Sequence, residues 1–250
     1  MSAGRCYIGT SGWSYPHWGK GRFYPRGTKP GDYLAYYSRE FGTVEINASF
    51  YQPPRPEMID RWREATGSRF LFAIKLWRRI THERKLADCE QELRDFLSRV
   101  EAFGPKRGPL LIQLPPSLHR DDERLDGFLN AFKAVGGKAR WRFAVEFRHP
   151  SWLATPVYAL LDGHGAACVL ADLARCPIVE PNDSPFFYVR RHGPGGAYRG
   201  CYSADHLAAD ADRIRAWLQS GRDVYVYFNN DIEGHAIDNA RQLRERVARS

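Results

Sequence analysis

The sequence predicts an α/β fold: one (β/α)8 barrel of the TIM type over residues 1–250, with an irregular crossover after the sixth strand. Three observations lead there. Short β-rich runs alternate with longer helix-like segments from one end to the other, the pattern of parallel strands joined by helical crossovers. The chain has 250 residues, 43% of them hydrophobic, which suits one large core and is close to the usual length of such a barrel. Each apolar run ends in groups able to hydrogen-bond or titrate, as expected where all strands open on one mouth. An open doubly wound sheet would usually carry a glycine-rich nucleotide loop at a strand crossover, and none follows the first strand.

In chain order, the first strand run is Tyr7-Ile8-Gly9, which exits into Thr10-Ser11 and a long aromatic loop. A helix over Pro30 to Phe41 leads to the second run, Val44-Glu45-Ile46-Asn47, and one over Pro56 to Ala65 leads to the third, Phe70 to Lys75. Asp88 to Phe103 precedes the fourth, Leu110 to Gln113, and Asp122 to Val135 precedes the fifth, Phe143 to Glu146. Thr155-Pro156 reads as an N-cap followed by proline at the first helical position, opening a helix to Leu161 before the sixth run, Cys168 to Asp172. There the pattern breaks, because Arg175-Cys176-Pro177 to Ser184-Pro185 is proline-rich and shows no amphipathic helix. The seventh run is Phe186 to Arg190. Ser203 then caps a helix anchored by Leu207, Ile214 and Leu218, the eighth run is Val224 to Phe228, and Ala236 to Val247 forms the last helix. No repeat of 20 to 50 residues and no low-complexity segment stands out, which excludes solenoids and propellers.

The net charge of +8 and pI near 9.3 admit anionic partners, phosphorylated ligands and nucleic acid among them, but the basic residues are spread along the chain and form no basic arm. No apolar run approaches a membrane span, and Met1-Ser2-Ala3-Gly4 passes into the first strand without a signal-peptide pattern, so a cytoplasmic protein with no membrane partner is expected. The five cysteines, Cys6, Cys89, Cys168, Cys176 and Cys201, are scattered and never form a Cys-x-x-Cys pair, against a disulfide framework or structural zinc.

The strand ends carry the functional signal. They present Glu45 and Asn47, Lys75, Gln113, Glu146 with Arg148 and His149, Asp172, Arg190 with His192, and Asn229. In a parallel barrel these residues converge on one basin. Glu45 and Asn47 are two apart, as are Glu146 and Arg148, so each pair projects to one side of an extended chain. Glu45 and Glu146 are the acid/base candidates, with Lys75 and Asp172 tuning them. Arg190 or His192 is expected to hold an anionic group beside the glycines of Gly193-Pro194-Gly195-Gly196, with Tyr198 and Tyr202 lining the same basin. Trp13 and Tyr15, in the loop Gly12 to Gly19, either stack on a ligand or belong, with Trp18, Phe23 and Tyr24, to a packed lid.

A divalent metal is admissible, since Glu45, Glu146, His149, Asp172, His192 and His235 are capable donors, but they have no diagnostic spacing and no cofactor is required. A glycine-flanked serine nucleophile, a Walker loop and a His-Glu-x-x-His helix are all missing from the sequence.

Gly9-Thr10-Ser11-Gly12-Trp13-Ser14-Tyr15, Phe23-Tyr24-Pro25, Val44 to Asn47 with Phe50-Tyr51, and Thr81-His82 resemble the YecE-like family, domain of unknown function 72. The match continues through Gln113-Leu114-Pro115-Pro116, Glu146 to Trp152, His192-Gly193-Pro194, Tyr198-Arg199-Gly200, and Tyr227 to Asp231 with Gly234-His235-Ala236. Ala48 and Leu173 depart from the family's pattern. The resemblance implies a TIM-barrel-like fold and, more loosely, a sugar-isomerase type of barrel. Three functions are therefore expected in order: acid/base chemistry on a small polyhydroxylated or phosphorylated substrate; metal-dependent phosphodiester hydrolysis on nucleic acid; and ligand binding without catalysis.

Overall fold

A computed structural model describes residues 3–137 and 141–249. Among the described residues eight parallel strands follow one another around a barrel in the order β1 (Cys6–Thr10), β9 (Asp223–Phe228), β8 (Phe186–Arg191), β6 (Ala167–Leu173), β5 (Phe143–Glu146), β4 (Arg107–Gln113), β3 (Leu71–Lys75) and β2 (Thr43–Ile46). A ninth, β7 (Cys176–Ile178), runs antiparallel to β6. The helices α1 (Tyr33–Glu40), α2 (Ala48–Tyr51), α3 (Pro56–Glu64), α4 (Glu90–Val100), α5 (Asp122–Gly136), α6 (Thr155–His164), α7 (Ala204–Gln219) and α8 (His235–Ala248) lie between and after the strands.

The ring closes between β1 and β2 by a substitute for a strand ladder. Ser11 and Glu45 form a single parallel bridge, with the Gly12 amide donating to the Glu45 carbonyl at 2.8 Å. Below it the buried Tyr37 hydroxyl enters the seam, accepts from the Thr10 amide at 3.0 Å and donates to the Thr43 carbonyl at 3.1 Å. Gly9 permits this approach, because a Cβ there would lie 2.3 Å from the Thr43 carbonyl oxygen.

Alternation along each strand divides the core. Val44, Ile46, Phe72, Ile74, Leu110, Ile112, Val145, Leu170, Val224 and Val226 join the large apolar cluster that contains the helix residues. Ala73, Leu111, Ala144, Val169, Ala171, Phe186, Tyr188, Tyr225 and Tyr227 form the second cluster, which fills the lumen. The alanines sit on β3, β5 and β6, and the bulk comes from aromatics of β8 and β9; Tyr188 and Tyr227 meet at 5.3 Å between ring centroids. This packed plug is the floor on which the mouth residues rest.

The crossover after β6 is irregular, as the prolines foretold. The chain doubles back as β7, and no helix intervenes before β8. Asn182 pins the return: its Oδ1 accepts from the Cys168 amide at 2.6 Å, and its Nδ2 donates to the Ala166 carbonyl at 2.8 Å and to Asp162 at 2.7 Å. Ser203 caps α7 as expected, accepting from the His206 amide at 3.2 Å. Thr155 does not cap α6. It is already helical, the flanking residue is Ala154, and no side chain closes that end. Two elements had no periodic signal, the single turn α2 and a π-helical turn at Arg79–Glu83, being too short to show one.

Candidate active site at the barrel mouth

Three strand ends meet in a buried ion array. The β8 residue Arg190, 1% exposed, places Nε 3.0 Å from Glu45 Oε2 and Nη2 2.8 Å from Glu45 Oε1, while Nη1 lies 2.5 Å from Glu146 Oε2. Nη1 also lies 3.2 Å from His192 Nε2 and Nη2 3.4 Å from Ser11 Oγ, so all five guanidinium N–H groups face a protein acceptor. Glu45 takes further hydrogen bonds from the hydroxyls of Ser11 and Tyr188, the latter at 2.7 Å. Glu146 is bonded by Arg148 Nε and by Gln113 Nε2, the latter at 3.2 Å. Burial alone would raise both carboxyl pKa values. The adjoining guanidiniums outweigh it: Arg190, with the Ser11 and Tyr188 hydroxyls, holds Glu45 below the usual carboxylate range, and Arg148 and Arg190 hold Glu146 well below it.

His192 stands behind this array. Two guanidinium groups, from Arg190 and Arg148 at 3.2 and 3.4 Å, point donors at Nε2, which therefore presents its lone pair, and the proton belongs on Nδ1. Burial and the two arginines lower its pKa against the pull of Asp172. Nδ1 faces Asp172 Oδ1 at 3.4 Å, a long contact rather than a formed hydrogen bond. Asp172 is held more firmly elsewhere, by the His192 amide at 2.7 Å and by the Tyr202 hydroxyl.

Lys75 differs from its neighbours. Its backbone is fixed by α2, where Ser49 Oγ donates to the Lys75 carbonyl at 2.7 Å, and Phe50 of the same turn places its ring 4.1 Å from Nζ. Nζ makes no hydrogen bond or ion pair among the described residues. Burial, and then repulsion from Arg190, lower its pKa to about 7 against the attraction of Glu146 and Glu45. His82 lies across the same phenylalanine at 4.9 Å, its pKa lowered to about 4 by burial and by the cations Lys75, Arg78 and Arg148. Beside these groups opens a cavity of about 320 Å³ whose polar wall comprises His82, Gln113, Arg148, Arg175 and Tyr198.

A family model described as "Protein of unknown function DUF72" matches residues 7–250, which takes in every one of these strand ends. The chain belongs to the DUF72 family. The UPF0759 protein YecE of Escherichia coli strain K12 is 33% identical over 149 residues, covering 59% of this chain and 50% of YecE, so the chain spans about half the length of that relative. A DUF72 family protein of Thermotoga maritima superposes with a TM-score of 0.83 at 27% identity, over 96% of this chain and 98% of that one. A D-psicose 3-epimerase solved in the presence of D-fructose superposes with a TM-score of 0.56 at 11% identity, over 97% of each chain, which shows a shared barrel fold.

In this DUF72 barrel Glu45, Lys75, Gln113, Glu146, Arg148, Arg190 and His192 come together at the mouth, with Asp172 and Tyr202 supporting from behind and Tyr198 in the wall, its hydroxyl accepting from Arg148 Nη1 at 2.7 Å. Asn47 follows β2 and precedes α2, and its Oδ1 is buried without a hydrogen-bond partner among the described residues. Asn229 is held through its backbone, the amide donating to the Arg191 carbonyl at 2.8 Å. Arg190 does not present the free cation expected for an anion, because its donors are consumed by the two carboxylates, Ser11 and His192. The glycine loop beside it is closed on itself as well: the Gly193 amide is taken by the Tyr202 hydroxyl at 2.6 Å and the Gly196 amide by the Gly193 carbonyl at 2.7 Å.

His149 is spent on local structure, accepting from the Ser151 amide at Nδ1 and stacking on His119 at 3.9 Å. Trp13 packs edge-on against Trp62 of α3 at 5.3 Å. Tyr15 contacts Trp18 at 4.7 Å and bonds the Ser11 carbonyl, while Trp18 and Tyr24 are fully buried, so the aromatic loop is a packed lid with Tyr15 at its inner edge. The strand-end reading did not single out Tyr188 or Phe50. Tyr188 lies two residues before Arg190 and so shares its face, a signal present in the strand. Phe50 had only a motif. Among the described residues no group of three or more His, Cys, Asp or Glu side chains is placed to hold a metal ion.

Proposed function

We propose that this protein is a cytoplasmic enzyme that moves a proton on the carbon next to the carbonyl of a small polyhydroxylated compound, as in aldose–ketose or epimer interconversion. Lys75 is the proton carrier. The observation that carries this reading is a half-buried amine without a hydrogen-bond partner among the described residues, beside two carboxylates whose charges are already matched by Arg190 and Arg148. Glu45 and Glu146, which the sequence suggested as acid and base, are held ionised by those arginines and act as a fixed electrostatic frame. Lys75, titrating near neutrality, suits a group that must both take and return a proton.

The charges of Glu45 and Glu146 cancel those of Arg190 and Arg148, so a proton passing from the substrate carbon to neutral Lys75 forms a cation and an enediolate with no net change of charge in the site. Gln113 and Tyr198 of the cavity wall suit substrate hydroxyls. The epimerase likeness lends the fold alone; the substrate class rests on the cavity. Five free cysteines suit a reducing compartment.

The test is exchange of carbon-bound hydrogen in D2O, followed by NMR, over a panel of three- to six-carbon aldoses and ketoses together with their phosphates and the corresponding uronates. The wild-type chain is expected to label the carbon next to the carbonyl, and Lys75→Met to slow this by about 10²–10⁴-fold, the range of general acid–base catalysis. With the neutral amine as base, kcat/KM should rise with pH through about 7. No labelling above the protein-free blank, or labelling indifferent to Lys75→Met, would sink the reading.

A further inference from the structure

The cavity lined by His82, whose ring meets Phe50 as Lys75 does, has an uneven charge. Arg148 and Arg175 line it, and among the described residues no aspartate or glutamate does. The two arginines also differ from Arg190 in what they have left to give. Arg148 commits Nε to Glu146, one Nη1 hydrogen to Tyr198 and one Nη2 hydrogen to His192, which leaves two of its five N–H groups. Arg175 makes no hydrogen bond, ion pair or aromatic contact among the described residues, so its whole guanidinium is free. It stands in the tight turn between β6 and β7, held above the strand ends by the hairpin pairing of Leu173 with Cys176.

The loop packed on this turn is built to stay in place. Gly196, at φ +64°, packs so closely on this turn that a Cβ would fall 2.4 Å from the Ala174 nitrogen. That contact seats the loop carrying Tyr198, whose hydroxyl orients the Arg148 guanidinium. His82, at the same cavity, has its pKa lowered to about 4 by burial and by its cationic neighbours, so at neutral pH it adds no charge.

We propose that the substrate carries an oxyanion, a phosphate or a carboxylate, which Arg175 and the two free N–H groups of Arg148 hold while the carbonyl end faces Lys75. This deepens the proton-transfer reading and rests on it for the position of the carbonyl. The anion preference rests on the cavity wall alone. Glu146 already offsets Arg148, so the uncompensated charge at this wall is that of Arg175, which is the specificity residue because it gives nothing to the fold.

Isothermal titration of the full chain with D-ribose 5-phosphate and D-glucuronate, against neutral D-ribose and D-glucose, separates this from the parent proposal because it reads binding, not turnover. At least one anionic compound is expected to bind about 10-fold or more tighter than its neutral counterpart, in a salt-dependent manner. Preference for the phosphate alone or the glucuronate alone identifies which oxyanion the site takes. Arg175→Gln, at an exposed turn, should reduce that preference by about 10-fold and leave neutral-sugar affinity unchanged. Equal affinity for charged and neutral compounds, no binding of any of the four, or a preference intact in Arg175→Gln overturns the inference. Anion binding without hydrogen exchange would sustain it and remove the proton-transfer reading instead.

Discussion

Arg190 ties its neighbours together because its charge lies between two buried carboxylates, as the counter-ion of Glu45 and, with Arg148, one of two for Glu146. Arg190→Met therefore leaves Glu45 and Glu146 without their shared counter-ion. Breaking a buried pair on one side typically costs about 3–5 kcal/mol, and urea denaturation of the variant is expected to show a loss at least that large. Lys75 makes the converse case. Its pKa falls from 10.5 unfolded to about 7 folded, so between those values the unfolded chain binds the extra proton. Stability from this group is full above the unfolded pKa and is lost as pH falls through the folded one. The difference in unfolding free energy between wild type and Lys75→Met should thus grow from pH 7 toward pH 10; a flat difference would show an amine that ionises normally.

Elements position these groups by means that a strand-by-strand reading does not contain. The seam between β1 and β2 depends on a side chain of α1, since the Tyr37 hydroxyl serves the Thr10 amide, the Thr10 hydroxyl and the Thr43 carbonyl. Tyr37→Phe removes that junction while keeping the ring. Leaving the buried Thr10 amide unpaired is expected to cost about 1–3 kcal/mol, with faster hydrogen exchange at Thr10 and Ser11 as the local signature. Because Ser11 bonds Glu45, the same change should reach the mouth. The lid is likewise an assembly of elements: His17 Nε2 and Trp18 Nε1 meet the Asp231 carbonyl at 2.7 and 3.2 Å, latching the loop after β1 to the loop after β9.

At the scale of the whole molecule, the two buried glutamates tie stability to pH. Both have pKa values lowered by folding, so their contribution is present above the ordinary glutamate value, about 4.3, and fades as pH falls through the folded values. Acid unfolding monitored by circular dichroism should begin below that point and shift toward neutrality in Arg190→Met. The barrel itself was legible in the chain, because strand alternation, helix spacing and polar strand ends are local signals that the closed ring merely repeats. So were the convergence of Glu45, Glu146 and Arg190 and the broken crossover after β6, since period-two alternation and proline act on neighbouring residues. What only the tertiary structure decided was which groups are spoken for. Arg190 and Arg148 carry the same charge in sequence, yet one is exhausted by two carboxylates brought from residues 45 and 146, and the other retains donors toward the cavity. The pKa of Lys75 is lowered toward neutrality, and those of the two glutamates below their usual range, because desolvation and ion pairing depend on distances across the barrel that no local pattern encodes.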